Sequence, residues 1–423
     1  MIHIMNVLII TKAPWDDRIA SGNTLSNLFG GWSDVNFYCL YSRDSRPSNK
    51  VCRNYFSISP TSIFKNFFHP YRIGKRFTTL QCETVETLTS YEEVLIGKAK
   101  RNKRLFKLIY YLAYASNLWI NDSFKSFIEE SSPDVVFCFG QTDPLTYKAV
   151  RYIKTNTRAR IISYYVDDLY KPNVTWISLL KKIDNIHLRS IASMSDKCYA
   201  ISEMMCEEYR TLYNKPFTLL HKGCDVYQPK SCVSNPIRFV YAGNLYYKRD
   251  QVLVAIASAI DRINDGIPKA HLDIYSGTPV SNEKAAMLNI HGASALHPAC
   301  PYNEIKRLMR EADIVLHVES FDETQIKLVR LSFSTKITDC MQSGSMMMAI
   351  GPMSVASISY ANNVPGCVVV NDLKKIDAAI LSLVNSKSTI LKNAEKTNNF
   401  AKDNIIIDKI QKRLRNDFNS LLG

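Results

Sequence analysis

Residues 331 to 352, LSFSTKITDCMQSGSMMMAIGP, carry groups whose types and spacing suit a charged, hydroxyl-rich ligand. Ser334 and Thr335 can cap a helix, Asp339 projects about one turn in, Gly344 ends it, and Met346 to Ile350 reads as a buried strand. A helix that starts at the C-terminal edge of a parallel sheet presents free backbone N–H groups and the positive end of its dipole, which suits a diphosphate. A carboxylate farther along can grip ribose hydroxyls. An ordinary capped helix has the same pattern, so the segment needs support from elsewhere in the chain.

A second constellation is YYVDDLY at 164 to 170, where a strand-like run ends in two adjacent carboxylates. Successive side chains in extended backbone point to opposite faces, so one acid faces outward while the other caps or pairs. Asp167 is favoured as the partner of a substrate hydroxyl, with Asp168 close behind, and a strand-to-helix turn that uses Asp as its cap is the alternative.

The surrounding elements are those of an α/β protein. Strand-like runs at Asn6 to Ile10, Val35 to Leu40, Val135 to Phe139, Arg160 to Tyr165 and Lys197 to Ile201 alternate with helical stretches, notably Leu145 to Ile153 and Leu179 to Ala192. Residues 221 to 236, HKGCDVYQPKSCVSNP, break that rhythm with Gly223, Pro229 and Pro236. The alternation restarts at 237–242 and continues through 271–276, 312–318, 346–350 and 367–370. This spacing predicts two doubly wound Rossmann-like domains, 1–225 and 237–400, joined by a linker at 226–236. Residues 401–423 form a C-terminal helix that can pack back on the first domain. At 423 residues the chain is too long for one core, so an interdomain cleft is expected.

Composition narrows the function classes. Hydrophobic residues at 46% and charged residues at 22% fit a globular protein and argue against long disordered tails. Eleven cysteines without a CxxC or a His/Cys cluster suggest neither a disulfide framework nor a zinc site, and point to a reducing cytoplasm. MIHIMNVLII reads as a first strand rather than a signal peptide. The net charge of +14 is densest at 98–120, KAKRNKRLFKLIYYLAYASNLWI, and at 65–77, KNFFHPYRIGKRF. The apolar run Leu108 to Ile120 is shorter than the roughly 20 residues a span requires. Basic residues beside aromatics suit an anionic leaflet, and a core helix preceded by a solvated basic turn is the alternative. No nucleic-acid motif accompanies the charge, so nucleic acid is not an expected partner.

With both domains in view, the chain resembles the GT-B nucleotide-sugar glycosyltransferases, in particular the large retaining family, family 4-like, that builds bacterial polysaccharides and glycolipids. The resemblance is carried by TKAPWDDRIASGNTLSNLFGGW at 11–32, AISEMMCEEY at 200–209, LLHKGCDVYQP at 219–229, VYAGNLYYKRD at 240–250, IYSGTP at 274–279, EIKRLMREADIVLHV at 304–318 and the segment at 331–352. It implies transfer of a sugar from a nucleoside-diphosphate sugar, UDP favoured and GDP possible, to a saccharide or lipid-linked acceptor. Such transfer belongs to capsule or O-antigen type synthesis at the inner face of the membrane. It also implies retention of anomeric configuration, with the departing phosphate accepting the acceptor proton and domain closure excluding water.

The chain contains no Asp-x-Asp, so no metal and no cofactor beyond the donor is expected, and fixed cations are expected to stabilise the leaving diphosphate. In the resembled pattern a strand-ending glycine is followed by an Arg and, five residues later, a Lys. Here Gly243 is followed by Asn244, and Arg249 stands at the Lys position. Lys248 or Lys327 is expected to supply the missing charge, and replacing Arg249 by Ala to lower turnover with little loss of folding. Asp339 stands at the second acid of the two-glutamate motif, while Leu331 stands at the first. Glu319, Asp322 and Glu323 lie upstream as candidates to contact the donor sugar. Ser334, Thr335 and Lys336 are expected at the phosphates, and Tyr302, closing LHPACPY, at the nucleobase. Gly22, with Asp17 and Arg18, falls in the first loop. A nucleotide-sugar 2-epimerase of the same architecture and a non-catalytic subunit of a polysaccharide complex are the competing readings.

Overall fold

The computed structural model of the chain describes residues 4–78, 103–171 and 179–423, the side chains of 103–106 excepted. Lys98, Lys100 and Arg101 of the basic run therefore lie outside the described residues, as do the side chains of Lys103 and Arg104. These residues form two compact units, one of 4–78, 103–171, 179–200, 206–219 and 411–423, the other of 201–205 and 220–410.

The first unit is built on a sheet ordered β4-β3-β2-β1-β5-β6-β7-β8. Its centre consists of β-branched and aromatic runs buried on both faces: β1 (Met5–Thr11), β5 (Val135–Phe139) and β6 (Arg160–Tyr165). β2 (Val35–Tyr41), β3 (Asn54–Ser57), β7 (Lys197–Ala200) and β8 (Phe217–Leu219) extend it in parallel. The edge strand β4 (Lys75–Thr78) runs antiparallel to β3, an antiparallel edge on an otherwise parallel sheet. The helix Pro144–Asn156 starts where its residue types dictate: Pro144 sits at the first turn and the Asp143 carboxylate accepts from Thr146 N at 3.1 Å. One face of the sheet packs Leu8, Ile10, Val136 and Cys138 against Phe124, Leu145, Val150 and Ile153. On the other, Phe418 of the C-terminal helix Ile407–Leu422 meets Phe29, Trp32 and Phe137 at ring distances of 5.1 to 6.3 Å.

The second unit holds a parallel six-stranded sheet ordered β11-β10-β9-β12-β13-β14. Its strands are β9 (Ile237–Ala242), β10 (Ala270–Tyr275), β11 (Ser294–His297), β12 (Ile314–Val318), β13 (Met346–Ile350) and β14 (Val368–Val370). β13 and β12 are buried throughout, as a strand covered by helices on both faces must be. The helix Arg249–Asn264 buries Val252, Leu253, Ile256 and Ile260 against the sheet.

In both sheets the winding direction reverses once, between β1 and β5 in the first and between β9 and β12 in the second. Ligands in open α/β sheets bind beyond the carboxyl ends of the strands at such a reversal. In the second unit the segments leaving those two strands begin with Gly243 and Glu319.

Candidate functional site

Gly243 and Asn244 leave β9, Glu319 leaves β12, and the short helix Lys336–Gln342 delivers Lys336 to the same place. A Cβ on Gly243 would lie 1.7 Å from Lys336 Nζ, so glycine is what admits the ammonium there. Lys336 Nζ lies 3.3 Å from the Tyr241 hydroxyl and 5.1 Å from the centre of its ring. Tyr241 in turn donates to Asn244 O at 2.6 Å, which fixes the hydroxyl. Burial, followed by the charge of Arg249, brings the Lys336 pKa down to about 8, against the opposing pull of Glu319.

Arg249 is the first residue of its helix and is only 8% exposed. Its Nε donates to Glu319 Oε2 at 3.1 Å and its Nη2 to Glu319 Oε1 at 2.9 Å, a bidentate pair, while Nη1 donates to Asn244 Oδ1 at 2.8 Å. Its guanidinium lies 5.3 Å from the Tyr247 ring centre. The two residues before it, Tyr247 (φ 59°) and Lys248 (φ 58°), are both left-handed, a costly conformation for side chains of that size. Burial raises the Glu319 pKa and Arg249 opposes that rise. Behind the pair, His317 Nε2 lies 3.0 Å from Ser357 Oγ and 3.6 Å from Glu319 Oε1. Burial, helped by the charges of Arg249 and Lys336, holds the His317 pKa far below its ordinary value, so the ring is neutral.

One helical turn along, Asp339 accepts from the Tyr302 hydroxyl at 2.8 Å, and Lys306 sits 4.7 Å over the Tyr302 ring. Burial raises the Asp339 pKa, while Tyr302, Lys222 and Lys306 pull it down. Tyr227, Tyr302, Lys306, Met309, Asp339 and Gln342 line a small open recess there.

The second unit thus brings Gly243, Asn244, Arg249, Glu319 and Lys336 together, with Tyr302 and Asp339 alongside. Lys248 points elsewhere and pairs with Asp322, which also caps the helix Glu323–Val329 through Thr324 N at 3.0 Å. Glu323 and Lys327 lie exposed on that helix, and neither makes a described contact with the Arg249 group. Thr335 occupies the cap position of the helix Lys336–Gln342 with helical dihedrals (φ −59°, ψ −16°) and no side-chain cap bond, and Ser334 supplies only its backbone oxygen, to Ile337 N at 3.1 Å. Neither hydroxyl makes the expected cap bond among the described contacts, because Thr335 at the cap position already has helical dihedrals where a capping side chain needs extended backbone. Gly344 does end the helix, at φ +79°. Tyr241, His317 and Ser357 carry no sequence signal: each sits in a strand or helix that reads as core.

In the first unit the two acids after β6 diverge. The Asp168 carboxylate accepts from the Tyr209 hydroxyl at 3.0 Å, whereas Asp167 is exposed, although partial loss of solvent still raises its pKa. In the first loop Arg18 closes on Asp16 at 2.7 Å, and Asp17 accepts from Asn49 Nδ2 at 2.9 Å. A Cβ on Gly22 would meet Asp16 O at 2.0 Å, so that glycine serves the fold of the loop.

No protein-family model matches the sequence. No curated protein matches it by sequence either. Among solved structures, HepE of Anabaena in complex with UDP and glucose aligns with a TM-score of 0.60 at 10% identity, covering 98% of this chain and 100% of that one. The sucrose-phosphate synthase of Thermosynechococcus elongatus aligns with a TM-score of 0.59 at 10% identity over 99% of both chains. An E. coli trehalose-6-phosphate structure bound with UDP-2-fluoro glucose gives 0.59 at 9%, over 97% of this chain and 98% of that one. At such identities the likeness is one of fold: two α/β units of the GT-B type, as the alternating elements suggest.

Proposed function

We propose that the chain is a glycosyltransferase that takes its sugar from a nucleoside-diphosphate donor held by the second unit. The observation that carries this reading is the group at the β9/β12 reversal, where Lys336 and Arg249 stand together and the Glu319 carboxylate is engaged by Arg249. The hydrogen-bond partner of Lys336 among the described residues is a neutral hydroxyl. A half-buried ammonium whose pKa has been driven down gains most from an anion, and a diphosphate supplies one. HepE and the trehalose-6-phosphate protein were crystallised with UDP or a UDP-sugar, which favours a UDP-sugar here, with GDP-sugar as the alternative.

In this reading Lys336 neutralises the leaving diphosphate and Arg249 braces the site through Glu319. Asp339 and Tyr302 face the ribose and base, and Asp167 meets the acceptor hydroxyl. That oxygen attacks the anomeric carbon as the carbon–phosphate oxygen bond breaks, and its proton passes to the departing phosphate on the same face, giving retention. Fixed cations do the electrostatic work, so we infer a metal-independent, hexosyltransferase-type reaction. The acceptor is a saccharide or lipid-linked saccharide of a bacterial surface polymer, capsule or O-antigen, at the inner face of the membrane.

The test is calorimetry and thermal shift of the purified chain with UDP, GDP, ADP and CMP, with and without magnesium. A shift that grows with one nucleotide is expected, and UDP is the expected one. No shift with any nucleotide would overturn the transferase reading in favour of a non-catalytic subunit. Epimerised donor formed without an acceptor would overturn it in favour of a 2-epimerase.

A further inference from the structure

In the first unit, the loop after the helix Pro60–Lys65 holds a set of aromatic side chains outside the protein: Phe67 is 49% exposed, Phe68 86% and Tyr71 64%. Isolated exposed apolar residues are ordinary, but contiguous large ones mark a surface that meets something apolar. The loop is not loose. Asn121 Nδ2 donates to Pro70 O at 2.7 Å and to Ile73 O at 2.8 Å, and Ile73 is only 1% exposed. At Gly74 (φ +98°) a Cβ would lie 2.4 Å from the Phe56 ring. The fold therefore anchors the C-terminal side of the loop at 70–74, and Asn66 Nδ2, donating to Ser62 O at 2.9 Å, ties its start to the preceding helix, so the rings are presented from a held segment.

The polar residues of the loop have one sign. From Ser59 to Thr78 the chain contains no Asp or Glu, while Lys65, Arg72, Lys75 and Arg76 are present. Arg76 is already paired with Glu130 at 2.5 Å, but Arg72 stacks on Tyr71 at 5.5 Å and Lys75 is exposed. The helix Pro60–Lys65 packs against the helix Lys103–Ala115, whose sequence also lacks acids and whose Leu108 and Leu112, one turn apart, are 43% and 57% exposed. Among the described residues no helix is long and apolar enough to cross a bilayer. The surface can lie on one and cannot span it.

We propose that this surface, centred on Phe67, Phe68, Tyr71, Arg72 and Lys75, docks the first unit onto an anionic lipid surface. The rings enter the headgroup boundary and the cations meet lipid phosphates. The inference deepens the membrane location in the proposed function by naming the surface that docks, and because its test needs neither donor nor acceptor, its failure is distinguishable from failure of the transferase reading.

The experiment is co-sedimentation of the full chain with vesicles of phosphatidylcholine alone and of equal parts phosphatidylcholine and phosphatidylglycerol. The wild-type chain is expected to partition onto the anionic vesicles, and to release at about 1 M salt, where screening reaches within about 3 Å. Arg72→Glu with Lys75→Glu should weaken partition by at least roughly fivefold per cation, and Phe67→Ser with Phe68→Ser by roughly tenfold. All four positions are exposed, so the melting temperature should not move, and circular dichroism verifies the fold. Equal binding to both vesicle types, or unchanged binding by the Phe67/Phe68 variant, overturns the proposal. So does a wild-type chain that self-associates in sedimentation velocity and loses that association in the same variants, which would make the surface a contact between two copies.

Discussion

Replacing Lys336 by methionine keeps most of the side-chain volume beside Gly243 and Tyr241 but removes the charge. The ammonium stands at about 8 in the folded protein against 10.5 for an ordinary lysine, so holding it charged below pH 8 costs about 3 kcal/mol of folding free energy. The sign follows from proton counts. Between the folded and unfolded pKa values the unfolded chain binds more protons, so wild-type stability rises as pH climbs from 8 towards 10.5, and Lys336→Met should flatten that rise. At pH 7 the variant should be more stable than the wild type by up to about 3 kcal/mol, a gain that reads as a higher melting temperature. Ligand binding should move the other way. A charge-assisted hydrogen bond to a diphosphate contributes about 1.5–3 kcal/mol, so UDP affinity should fall by roughly ten- to a hundredfold. Isothermal titration calorimetry at several pH values in two buffers reads both effects. Wild-type UDP affinity should decline above pH 8, with proton uptake on binding at pH 8, and Lys336→Met should show neither. A variant that binds UDP as the wild type does, with the same proton uptake, would refute the placement of the phosphates at Lys336.

Arg249→Ala should not be the clean probe of turnover that the sequence suggests. It strands the buried Glu319 carboxylate, so a loss of about 3–5 kcal/mol in denaturant unfolding is expected, and adding Glu319→Gln should recover much of it. Asp167→Asn, at an exposed position, should leave the melting temperature unchanged while transfer to acceptor falls at least tenfold; Asp168→Asn weakens the bond from Tyr209 and should lower stability by about 1 kcal/mol. If Asp339 holds the ribose, Asp339→Asn should shrink the affinity gap between UDP and its deoxyribose analogues, measured by calorimetry; an undiminished gap would move the ribose away from Asp339.

The central strands were readable because burial on both faces demands continuous apolar runs: NVLII, VVFCF and MMMAI fall inside β1, β5 and β13. The strands nearer the edges, β3, β4, β8 and β11, are three or four residues long and partly polar, and nothing in NYFS or SALH separates them from loop. In the first unit Asp167 and Asp168 do part company, but both lie past the end of β6, where strand alternation no longer dictates it, and the bond from Tyr209 to Asp168 is what separates them. Glu319 read as one loop carboxylate among three, because its partner Arg249 lies 70 residues away and the pairing exists only once β9 and β12 are adjacent. His317 was hidden for the same reason: its polar ring faces Ser357 across 40 residues of sequence.

The asparagine at position 244 follows from the same electrostatics. An arginine there would put a third cation beside Arg249 and Lys336, whose nearby carboxylates are Glu319 and Asp339, and like charges in a half-buried site drive a lysine pKa down. Asn244 instead accepts from Arg249 Nη1, so the position that holds a cation in the resembled pattern here orients one. In the proposed site, an uncharged residue at 244 leaves Lys336, with a pKa of about 8, largely protonated near neutral pH. Asn244→Arg should therefore lower the Lys336 pKa further, shift the fall in UDP affinity to a pH below 8, and reduce the stability of the ligand-free chain. Bound UDP should restore that stability, because the diphosphate supplies the missing negative charge. A variant whose UDP affinity keeps the wild-type pH profile would show that residue 244 and Lys336 do not share the same electrostatic site.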